Sequence, residues 1–350
     1  MGRDLISNPY GRFYYLPQAL ARKGHEVHIA LCSYHREADI HGRIDIDGVT
    51  WSSFSLINGN PLKYYWQTKM LARKFMPEVI VGFSDTYYGI LAHHLARRYS
   101  SKSLIDAYDN YESYLAWCKP LHSLWRHALA VADVITAAGP QLMELMSQGR
   151  AEGKFSEIIP MAADPNGFRP LDKIECRRRL GLPLDRKLVG YCGSIHKTRG
   201  MEVLFEAYKA IVASGEEIEL ILTGRKFPDV ILPAGARWLG YLPDDQMPFL
   251  LNSMDVLAVM STNSAFGAFS YPVKLYEAMC CQVPIVASHT PAIGWILRDH
   301  PDQLVSVGNH LELSRKLLQG LTLGPIDYGQ REGWSDVANE LEELFVALLS

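Results

Sequence analysis

Residues 269–288 read FSYPVKLYEAMCCQVPIVAS and contain the clearest fold signal in the sequence. Pro272 suits the first turn of a helix, because its missing backbone N–H is not needed there. The helical pattern of residues 273–281 leads directly into a short apolar run that predicts a buried strand over residues 284–287. A helix followed at once by such a strand is typical of the repeating unit of a parallel α/β sheet.

The same unit recurs towards both ends of the chain. In the first half, strands are predicted over residues 27–31, 50–56, 79–83, 103–106, 134–137 and 157–160, and helices over residues 13–23, 62–75, 88–99, 121–132 and 140–148. In the second half, strands are predicted over residues 188–192, 218–223, 238–241, 256–260, 284–287 and 304–307, and helices over residues 201–214, 244–253, 273–281, 310–319 and 334–349. This alternation predicts parallel sheets covered by helices on both faces.

A break in the pattern divides the chain. Residues 161–172 read MAADPNGFRPLD, contain three prolines or glycines, and indicate a linker. We therefore predict two doubly wound α/β domains, residues 1–165 and 166–333. The last segment, residues 334–350, is an amphipathic helix whose apolar stripe needs a partner surface, which we expect to be the first domain. Ligands of such sheets bind beyond the carboxyl ends of the strands, so the cleft between two domains is the expected active site.

Composition excludes several classes of protein. The 350 residues are 48% hydrophobic and 21% charged, which is typical of a globular chain. A net charge of −3 lacks the basic excess of a nucleic-acid binder, so no nucleic-acid partner is expected. Six cysteines without metal-ligand spacing favour buried thiols in a reducing compartment. No apolar run is long enough to span a bilayer and no signal peptide is recognised, so we expect a cytoplasmic protein, at most peripheral to the inner membrane face.

Lys274 and Glu277 lie three residues apart in the helix of residues 273–281 and project from one face. A cation in the first turn opposes the helix dipole, which indicates that an anion normally lies beside Lys274. Glu277, one turn deeper, is placed to accept hydrogen bonds from a pair of hydroxyls such as a ribose diol. The alternative is an ordinary surface Lys–Glu pair, which contributes roughly a few tenths of a kcal/mol.

Residues 191–200 read YCGSIHKTRG and join a predicted strand to a predicted helix. Gly193 allows a tight turn, and Arg199 lies just ahead of the helix. Exposed amide groups and a guanidinium at that position form a site for phosphate oxygens. The alternative is a solvated basic residue in a glycine-flanked turn. The dinucleotide-binding pattern G-x-G-x-x-G is absent.

Together these motifs resemble glycosyltransferase family 4, which has the GT-B fold of two Rossmann-like α/β domains. The pattern P-x-K-L-x-E-A-M-x-x-x-x-P-I-V-A-S of residues 272–288 is similar to the family's nucleotide-sugar signature. Further family motifs match in order along the chain, at residues 24–27 (GHEV), 133–136 (DVIT), 158–164, 168–170 and 193–200, and at Trp334. The resemblance covers roughly residues 10–348.

The resemblance implies roles for most of the residues in these motifs. Arg199 and Lys274 would neutralise the donor diphosphate, Glu277 would hold the ribose hydroxyls, and Gly193 would let the phosphates approach the backbone. Gly224, Arg225, Tyr241 and Leu242 would line the nucleobase, and Ser194, Pro272 and Val273 belong to the same donor site. No metal and no cofactor are implied, because two cations and a helix N-terminus perform the work of Mg²⁺.

The sequence departs from the family pattern in four places. Phe269 stands where the family often has an acid that contacts the donor sugar, although one subgroup also lacks it. Tyr108 and Asp109 replace a frequent His-Asp pair. The N-terminal Gly-Gly loop is reduced to residues 9–12 (PYGR), so Gly11 and Arg12 are the candidates on the acceptor side. Ser194 replaces a basic residue.

Asp109 has two interpretations of equal weight. It follows a strand end, where its carboxylate would contact the acceptor hydroxyl or the donor sugar, with Tyr108 beside it. Alternatively, Asp109 caps a following helix, which we predict over residues 111–117.

Residues 62–75 read LKYYWQTKMLARKF and mix aromatic residues with four cations. Such a helix could rest on anionic lipid, as in enzymes with lipid-linked acceptors. A helix that simply covers the sheet is the alternative.

We therefore predict a retaining, metal-independent hexosyltransferase that moves a sugar from a nucleoside-diphosphate sugar to a hydroxyl acceptor on a glycan, a lipid-linked sugar or a small molecule. Two rival functions share the fold. One is a catalytically silent protein that binds nucleotide sugars, and the other is a nucleotide-sugar 2-epimerase.

Overall fold

The computed structural model describes residues 5–6, 9–33, 42–55 and 60–350. The chain divides into two compact units. Unit 1 comprises Met1–Met161 and the C-terminal Trp334–Ser350, and unit 2 comprises Ala162–Gly333. Residues 162–172 form neither helix nor strand, in line with the linker composition.

Unit 1 alternates strands and helices along the chain. Its strands are β1 (Val27–Ser33), β2 (Gly42–Ile46), β3 (Val49–Ser55), β4 (Val79–Phe83), β5 (Lys102–Ala107), β6 (Val134–Ala137) and β7 (Phe155–Ile158). Its helices are α1 (Arg12–Arg22), α2 (Asn60–Phe75), α3 (Thr86–Tyr99), α4 (Lys119–Val131), α5 (Pro140–Ser147) and the C-terminal α12 (Trp334–Leu349).

The strands of unit 1 form two sheets, where the sequence predicted one continuous parallel sheet. Strands β4, β5, β6 and β7 pair in that order and are parallel. Strands β1 and β3 pair in parallel, and β2 adds to β3 in antiparallel orientation. A cavity of about 740 Å³ is lined by residues of both β1 and β4. Apolar residues of these strands are therefore half-buried, although continuous Val/Ile runs are typical of fully buried strands.

Helix α12 packs against α1 within unit 1. Its buried residues follow the expected apolar stripe: Trp334, Val337, Ala338, Leu341, Leu344 and Leu348. The ring of Trp334 stacks on Tyr15 with 5.8 Å between centroids. Glu342 accepts hydrogen bonds from Lys23 and His25, which tie the middle of α12 to the residues that directly follow α1.

Unit 2 contains one six-stranded parallel sheet in the order β10-β9-β8-β11-β12-β13. Its strands are β8 (Lys187–Cys192), β9 (Ile218–Thr223), β10 (Arg237–Trp238), β11 (Val256–Val259), β12 (Ile285–Ser288) and β13 (Leu304–Val305). Its helices are α6 (Lys173–Leu180), α7 (Met201–Ala213), α8 (Met247–Ser253), α9 (Val273–Cys280), α10 (Pro291–Ile296) and α11 (His310–Gly320). Leu204 of α7, Leu220 of β9 and Leu313 of α11 are fully buried in the core between these elements.

Several local predictions are wrong. The helix predicted over residues 111–117 is a single 3₁₀ turn, Tyr111–Ser113. Strand β2 and helices α6 and α10 were not predicted from the sequence. Pro272 is the residue that precedes α9, rather than a member of its first turn. Within the described residues, no helix is long and apolar enough to cross a bilayer. The six cysteines are free thiols, but only Cys32, Cys176 and Cys281 are buried, whereas Cys118, Cys192 and Cys280 are partly exposed.

Candidate functional site

The carboxyl ends of β8 and β9 lie side by side in unit 2 and hold two of the predicted loops together. The amide of Gly193 donates to the carbonyl of Thr223 at 3.0 Å, and the amide of Ile195 donates to the carbonyl of Arg225 at 2.9 Å. Ile195 also forms a short parallel bridge with Lys226. The loop after β8 is therefore an ordered continuation of the sheet edge rather than a free turn.

The backbone of Gly224 lies very close to the loop after β8. Its φ of +115° lies in the range that favours glycine, and a Cβ there would lie 2.1 Å from the carbonyl oxygen of Gly193. The amide of Gly224 donates to the carbonyl of Gly240 at 2.8 Å, which places the Tyr241-Leu242 turn beside the same loop. Three segments that are distant in sequence thus meet at one sheet edge.

Arg199 ends a 3₁₀ turn, Lys197–Arg199, immediately before α7. Its guanidinium lies over the ring of Phe266, 4.3 Å from the centroid, and this cation–π contact fixes the direction of the side chain. Gly200 lies against the carbonyl of Ser261, and the hydroxyl of Thr262 donates to the carbonyl of Thr198 at 3.2 Å. The loop after β11 therefore joins the site.

That loop and Phe266 were not predicted from the sequence. A polar, glycine-containing stretch, residues 261–267 (STNSAFG), directly follows a predicted strand. By the rule that ligands bind at the carboxyl ends of parallel strands, this stretch could have been proposed as part of the site. The contact between Phe266 and Arg199 has no sequence signal, because it depends on the tertiary fold.

Lys274 and Glu277 form an ion pair of 2.8 Å on α9. The side chains are 20% and 7% exposed, so the pair is mostly withdrawn from water. An ordinary surface pair, the alternative given by the sequence, is therefore wrong. Burial raises the pKa of the neighbouring Cys192 thiol to about 12, with Lys274 acting in the opposite direction and Glu277 in the same direction. These electrostatic interactions place the pair beside the end of β8.

The remaining predicted donor residues of unit 2 lie at the rim of this region. Ser194, Arg225 and Tyr241 are exposed, and Leu242 and Pro272 are partly exposed. The guanidinium of Arg225 lies 4.9 Å from the ring centroid of Phe227. Val273 is buried as the first residue of α9.

Two helix N-termini in this region lack a side-chain cap. Neither Gly200 before α7 nor Pro272 before α9 provides a side-chain hydrogen bond to its helix. Uncapped backbone amides at a helix start attract anions, and Arg199 and Lys274 add positive charge at the same two places. The arrangement is suited to an anion with several oxygen atoms, and the Glu277 carboxylate is suited to hydroxyl donors.

In unit 1, Arg12 is buried and holds several segments together. Its guanidinium donates to Asp106 Oδ1 at 2.7 Å and to the carbonyl of Ile159 at 2.9 Å. The hydroxyl of Thr136 also donates to Asp106 Oδ1, at 2.6 Å. The adjacent Gly11 has φ +63° and precedes α1. Arg12 thus fixes the end of β7 against β5 and the start of α1.

Asp109 follows β5 and is 4% exposed. Its Oδ2 accepts a hydrogen bond from the hydroxyl of Tyr114 at 2.9 Å. The helix-cap interpretation is wrong, because Asn110 caps the 3₁₀ turn by accepting from the amide of Glu112. Tyr108 packs edge-on against Phe13 at 5.0 Å between centroids.

Family models match most of the chain. Residues 186–322 match the model described as "Glycosyl transferases group 1", and residues 12–154 match the model described as "Glycosyl transferase 4-like domain". The chain belongs to this glycosyltransferase family.

Individual proteins agree with that assignment. A D-inositol 3-phosphate glycosyltransferase of Stackebrandtia nassauensis is 27% identical over 238 residues, which are 59% of this chain and 52% of the relative. The chain thus spans about half the length of the curated relatives it matches. Among solved structures, sucrose-phosphate synthase of Thermosynechococcus elongatus has a TM-score of 0.75 at 15% identity, covering 96% of this chain and 92% of that one. HepE of Anabaena, in complex with UDP and glucose, has a TM-score of 0.74 at 14% identity, covering 99% of this chain and 97% of that one. The shared fold is GT-B, as the sequence predicted.

Proposed function

We propose that the protein is a retaining glycosyltransferase that moves a sugar from a nucleoside-diphosphate sugar to a hydroxyl acceptor. The observation that carries the proposal is the mostly buried Lys274–Glu277 ion pair on α9, a helix whose start has no side-chain cap. The pair lies beside Cys192 at the end of β8, where the loop of Gly193 begins. A buried ion pair contributes little net stability, so its place at an anion-binding helix end favours a ligand-binding role. HepE, which shares the fold, was solved with UDP and glucose, and this supports a nucleotide-sugar donor.

In this proposal the donor diphosphate lies between Arg199 and Lys274. Phe266 holds the Arg199 guanidinium, so its donors are oriented before the ligand arrives. Lys274 exchanges part of its interaction with Glu277 for a phosphate oxygen. As the bond to the sugar breaks, negative charge grows on the diphosphate, and both cations stabilise that charge more strongly than in the ground state.

Glu277 accepts hydrogen bonds from the two ribose hydroxyls in this proposal. Its low exposure makes such charged hydrogen bonds strong, because little water competes for the carboxylate. The nucleobase lies at the rim, where Gly224, Arg225, Tyr241 and Leu242 surround the end of β9. Ser194, Pro272 and Val273 complete the donor site through their backbone.

The transfer step needs no strong protein base. The acceptor oxygen attacks the anomeric carbon on the face that the diphosphate leaves, the bond from carbon to phosphate oxygen breaks, and the acceptor proton passes to the departing phosphate. Asp109 and Tyr108 contact the acceptor or the donor sugar in this proposal. Gly11 and Arg12 belong to the acceptor side, with Arg12 acting as a positioning residue because its guanidinium is engaged by Asp106.

We further propose that the transfer proceeds without a divalent cation and that the acceptor is a sugar or a lipid-linked sugar. Arg199, Lys274 and the two helix N-termini supply the positive charge that Mg²⁺ gives in other transferases. A chelator such as EDTA should then leave the rate unchanged, whereas a metal-dependent enzyme would lose activity and regain it with added Mg²⁺.

A silent nucleotide-sugar binder is the second candidate, and Phe269 at the position of the family's frequent acid favours it. Thermal-shift screening against UDP, GDP and ADP sugars first identifies the donor. Release of the nucleoside diphosphate is then measured with and without an acceptor extract. A transferase releases it faster with the extract, and the release is lost in a Lys274→Ala variant. Donor binding without any release supports the silent binder and contradicts the proposed activity.

A further inference from the structure

Helix α2 exposes an apolar stripe. Leu62, Trp66 and Met70 follow one another at intervals of four residues, so they lie along one face of the helix. Their exposed fractions are 69%, 54% and 69%. Large apolar side chains are normal on a surface when they are scattered, but three in a row on one helix face form a continuous patch.

The opposite face of α2 is buried within unit 1. Tyr64, Thr68 and Ala72 are buried against unit 1, again at intervals of four residues. The hydroxyl of Thr68 donates to the carbonyl of Tyr64 at 2.9 Å, so it is satisfied within the helix. A helix that only covers the sheet accounts for the buried face. It does not account for the exposed apolar stripe of Leu62, Trp66 and Met70.

Cations flank the stripe on both sides. Lys63, Lys69, Arg73 and Lys74 are the charged residues of α2, and the helix contains no Asp or Glu. On a helical projection, Lys69 lies on one side of the stripe, Lys63 and Lys74 lie on the other, and Arg73 lies near its C-terminal end. The Lys69 ammonium lies 4.1 Å from the ring centroid of Trp66. An apolar centre with tryptophan and basic borders matches the two layers of a membrane interface, where acyl chains lie beneath charged headgroups.

We propose that this face of α2 rests on an anionic phospholipid bilayer. Leu62, Trp66 and Met70 enter the boundary between headgroups and acyl chains, and the four cations lie at the level of the phosphates. The charge decides between a bilayer and a second copy of the chain, because two copies of this face would bring eight cations together with no acid of α2 to offset them. The proposal does not depend on the donor site, since α2 lies in unit 1 and the donor residues lie in unit 2.

Vesicle flotation tests the proposal with the full chain and no nucleotide. The probes are vesicles of phosphatidylcholine alone and vesicles with phosphatidylglycerol added, each at low and high salt. We expect binding to the anionic vesicles, weakening with salt, and little binding to the neutral ones. The double variant Leu62→Gln/Met70→Gln should bind at least about tenfold more weakly, and Lys63→Glu/Lys74→Glu more weakly by at least a similar factor, at about fivefold per lysine removed.

Matched controls lie in unit 2. Ile231 is 88% exposed and Leu311 is 66% exposed, so Ile231→Gln/Leu311→Gln makes the same chemical change away from α2. Lys209, which pairs with Glu206 on α7, serves as the charge control in Lys209→Glu. Both controls should bind vesicles like the wild type, and melting temperatures should agree across the set because every changed apolar side chain is more than half exposed.

The fluorescence of Trp66 gives a second measurement, which reports on the stripe directly. Brominated acyl chains quench a tryptophan that enters the bilayer, and the quenching should disappear in Trp66→Phe although six other tryptophans remain. Equal vesicle binding by the wild type and Leu62→Gln/Met70→Gln would overturn the proposal. So would a dimer in solution that this double variant dissociates, because the stripe would then be covered by a second copy of the chain.

Discussion

The Lys274 ammonium lies 2.8 Å from the Glu277 carboxylate, and the two side chains are only 20% and 7% exposed. An i, i+3 pair on an open helix surface would be largely hydrated and would contribute little. Here the pair lies beside the end of β8, where burial raises the pKa of the Cys192 thiol and the charges of Lys274 and Glu277 act on it in opposite directions. In the proposed donor site, Lys274 contacts the diphosphate and Glu277 contacts the ribose diol.

Gly224 provides a test of the close contact between the loops after β8 and β9. A Cβ at Gly224 would lie 2.1 Å from the carbonyl oxygen of Gly193, at a φ of +115°. Gly224→Ala should lower the free energy of unfolding by more than about 2 kcal/mol and weaken nucleotide binding, because the backbone conformation and the clash both oppose it.

Gly215→Ala is the matched control, since Gly215 has φ +89° and open space around the added methyl group. It should cost about 1–2 kcal/mol and leave nucleotide binding unchanged. Denaturant unfolding and calorimetric titration measure the two quantities. Unchanged nucleotide affinity in Gly224→Ala would contradict the place given to this loop in the donor site.

Gln282 follows the end of α9 with φ +57°, in the left-handed region. A left-handed conformation costs a residue with a side chain on the order of 1 kcal/mol relative to glycine. Gln282→Gly should raise the free energy of unfolding by about 1 kcal/mol. Gln148→Gly is the control, because Gln148 ends α5 at φ −57°. Thermal unfolding should show a higher melting temperature for the first variant alone. A gain of equal size in both would show that the conformation of Gln282 is not the cause.

Helix α12 should be essential for the stability of unit 1. Deletion of residues 335–350 removes most of its buried stripe and should destabilise the protein or make it insoluble. Leu344→Ala is a milder test, expected to cost about 2–4 kcal/mol because Leu344 is 7% exposed. Val346→Ala, on the exposed side at 63%, should change stability by less than about 0.5 kcal/mol. Equal melting temperatures for the two alanine variants, or unchanged melting of the truncated chain, would contradict this.

Because the pKa of Asp255 is lowered in the folded protein, we expect the stability of unit 2 to fall at acid pH. Burial alone would raise the pKa of its carboxyl, but the hydrogen bond from the Leu188 amide and the charges of Lys173 and Arg177 outweigh burial and lower the pKa. A group with a lowered folded pKa stabilises the protein above its unfolded pKa of 3.8, and this contribution is lost as the pH falls through the folded pKa. Denaturation midpoints measured between pH 6 and pH 3 should therefore fall at the acid end.

Asp255→Asn should be less stable by about 3 kcal/mol at neutral pH, because it leaves buried Arg177 without its partner at 2.6 Å. The variant should also lose part of the acid dependence below about pH 4. The same acid dependence in variant and wild type would show that other carboxyl groups govern the transition.

Periodicity predicted most elements of the fold at or near their observed bounds. Strands β4 and β9 and helix α12 have the predicted limits, because their apolar patterns are uninterrupted and turn residues border them. Strand β2 was missed although a signal exists, since Asp47 and Gly48 both have positive φ and form the Asp-Gly turn of the β2–β3 hairpin. The separation of β1 from β4 was not predictable, because single-strand patterns do not specify which strands pair.

The candidate site likewise contains residues that the sequence predicted and contacts that it did not predict. Lys274, Glu277, Gly193 and Arg199 were predicted as donor-site residues from their positions in a helix or a glycine turn and from the family motifs, and their roles stay predictions. The contact between Arg199 and Phe266 and the ion pair between Arg12 and Asp106 join residues far apart in sequence, and the fold alone brings them together. Burial was also not predictable from spacing, and burial is what separates the Lys274–Glu277 pair from a surface pair.

Calorimetric titration of wild type, Glu277→Ala and Glu277→Gln with the nucleoside diphosphate found by screening tests the donor site most directly. If Glu277 holds two ribose hydroxyls, alanine should weaken binding by at least about tenfold, since each charged hydrogen bond contributes roughly 1.5–3 kcal/mol. Glutamine keeps an acceptor and should lose less. Lys274→Ala, titrated in parallel, should lower turnover more than affinity, because its charge matters most as the diphosphate departs. Equal affinities for wild type and Glu277→Ala would contradict the assignment of the donor site.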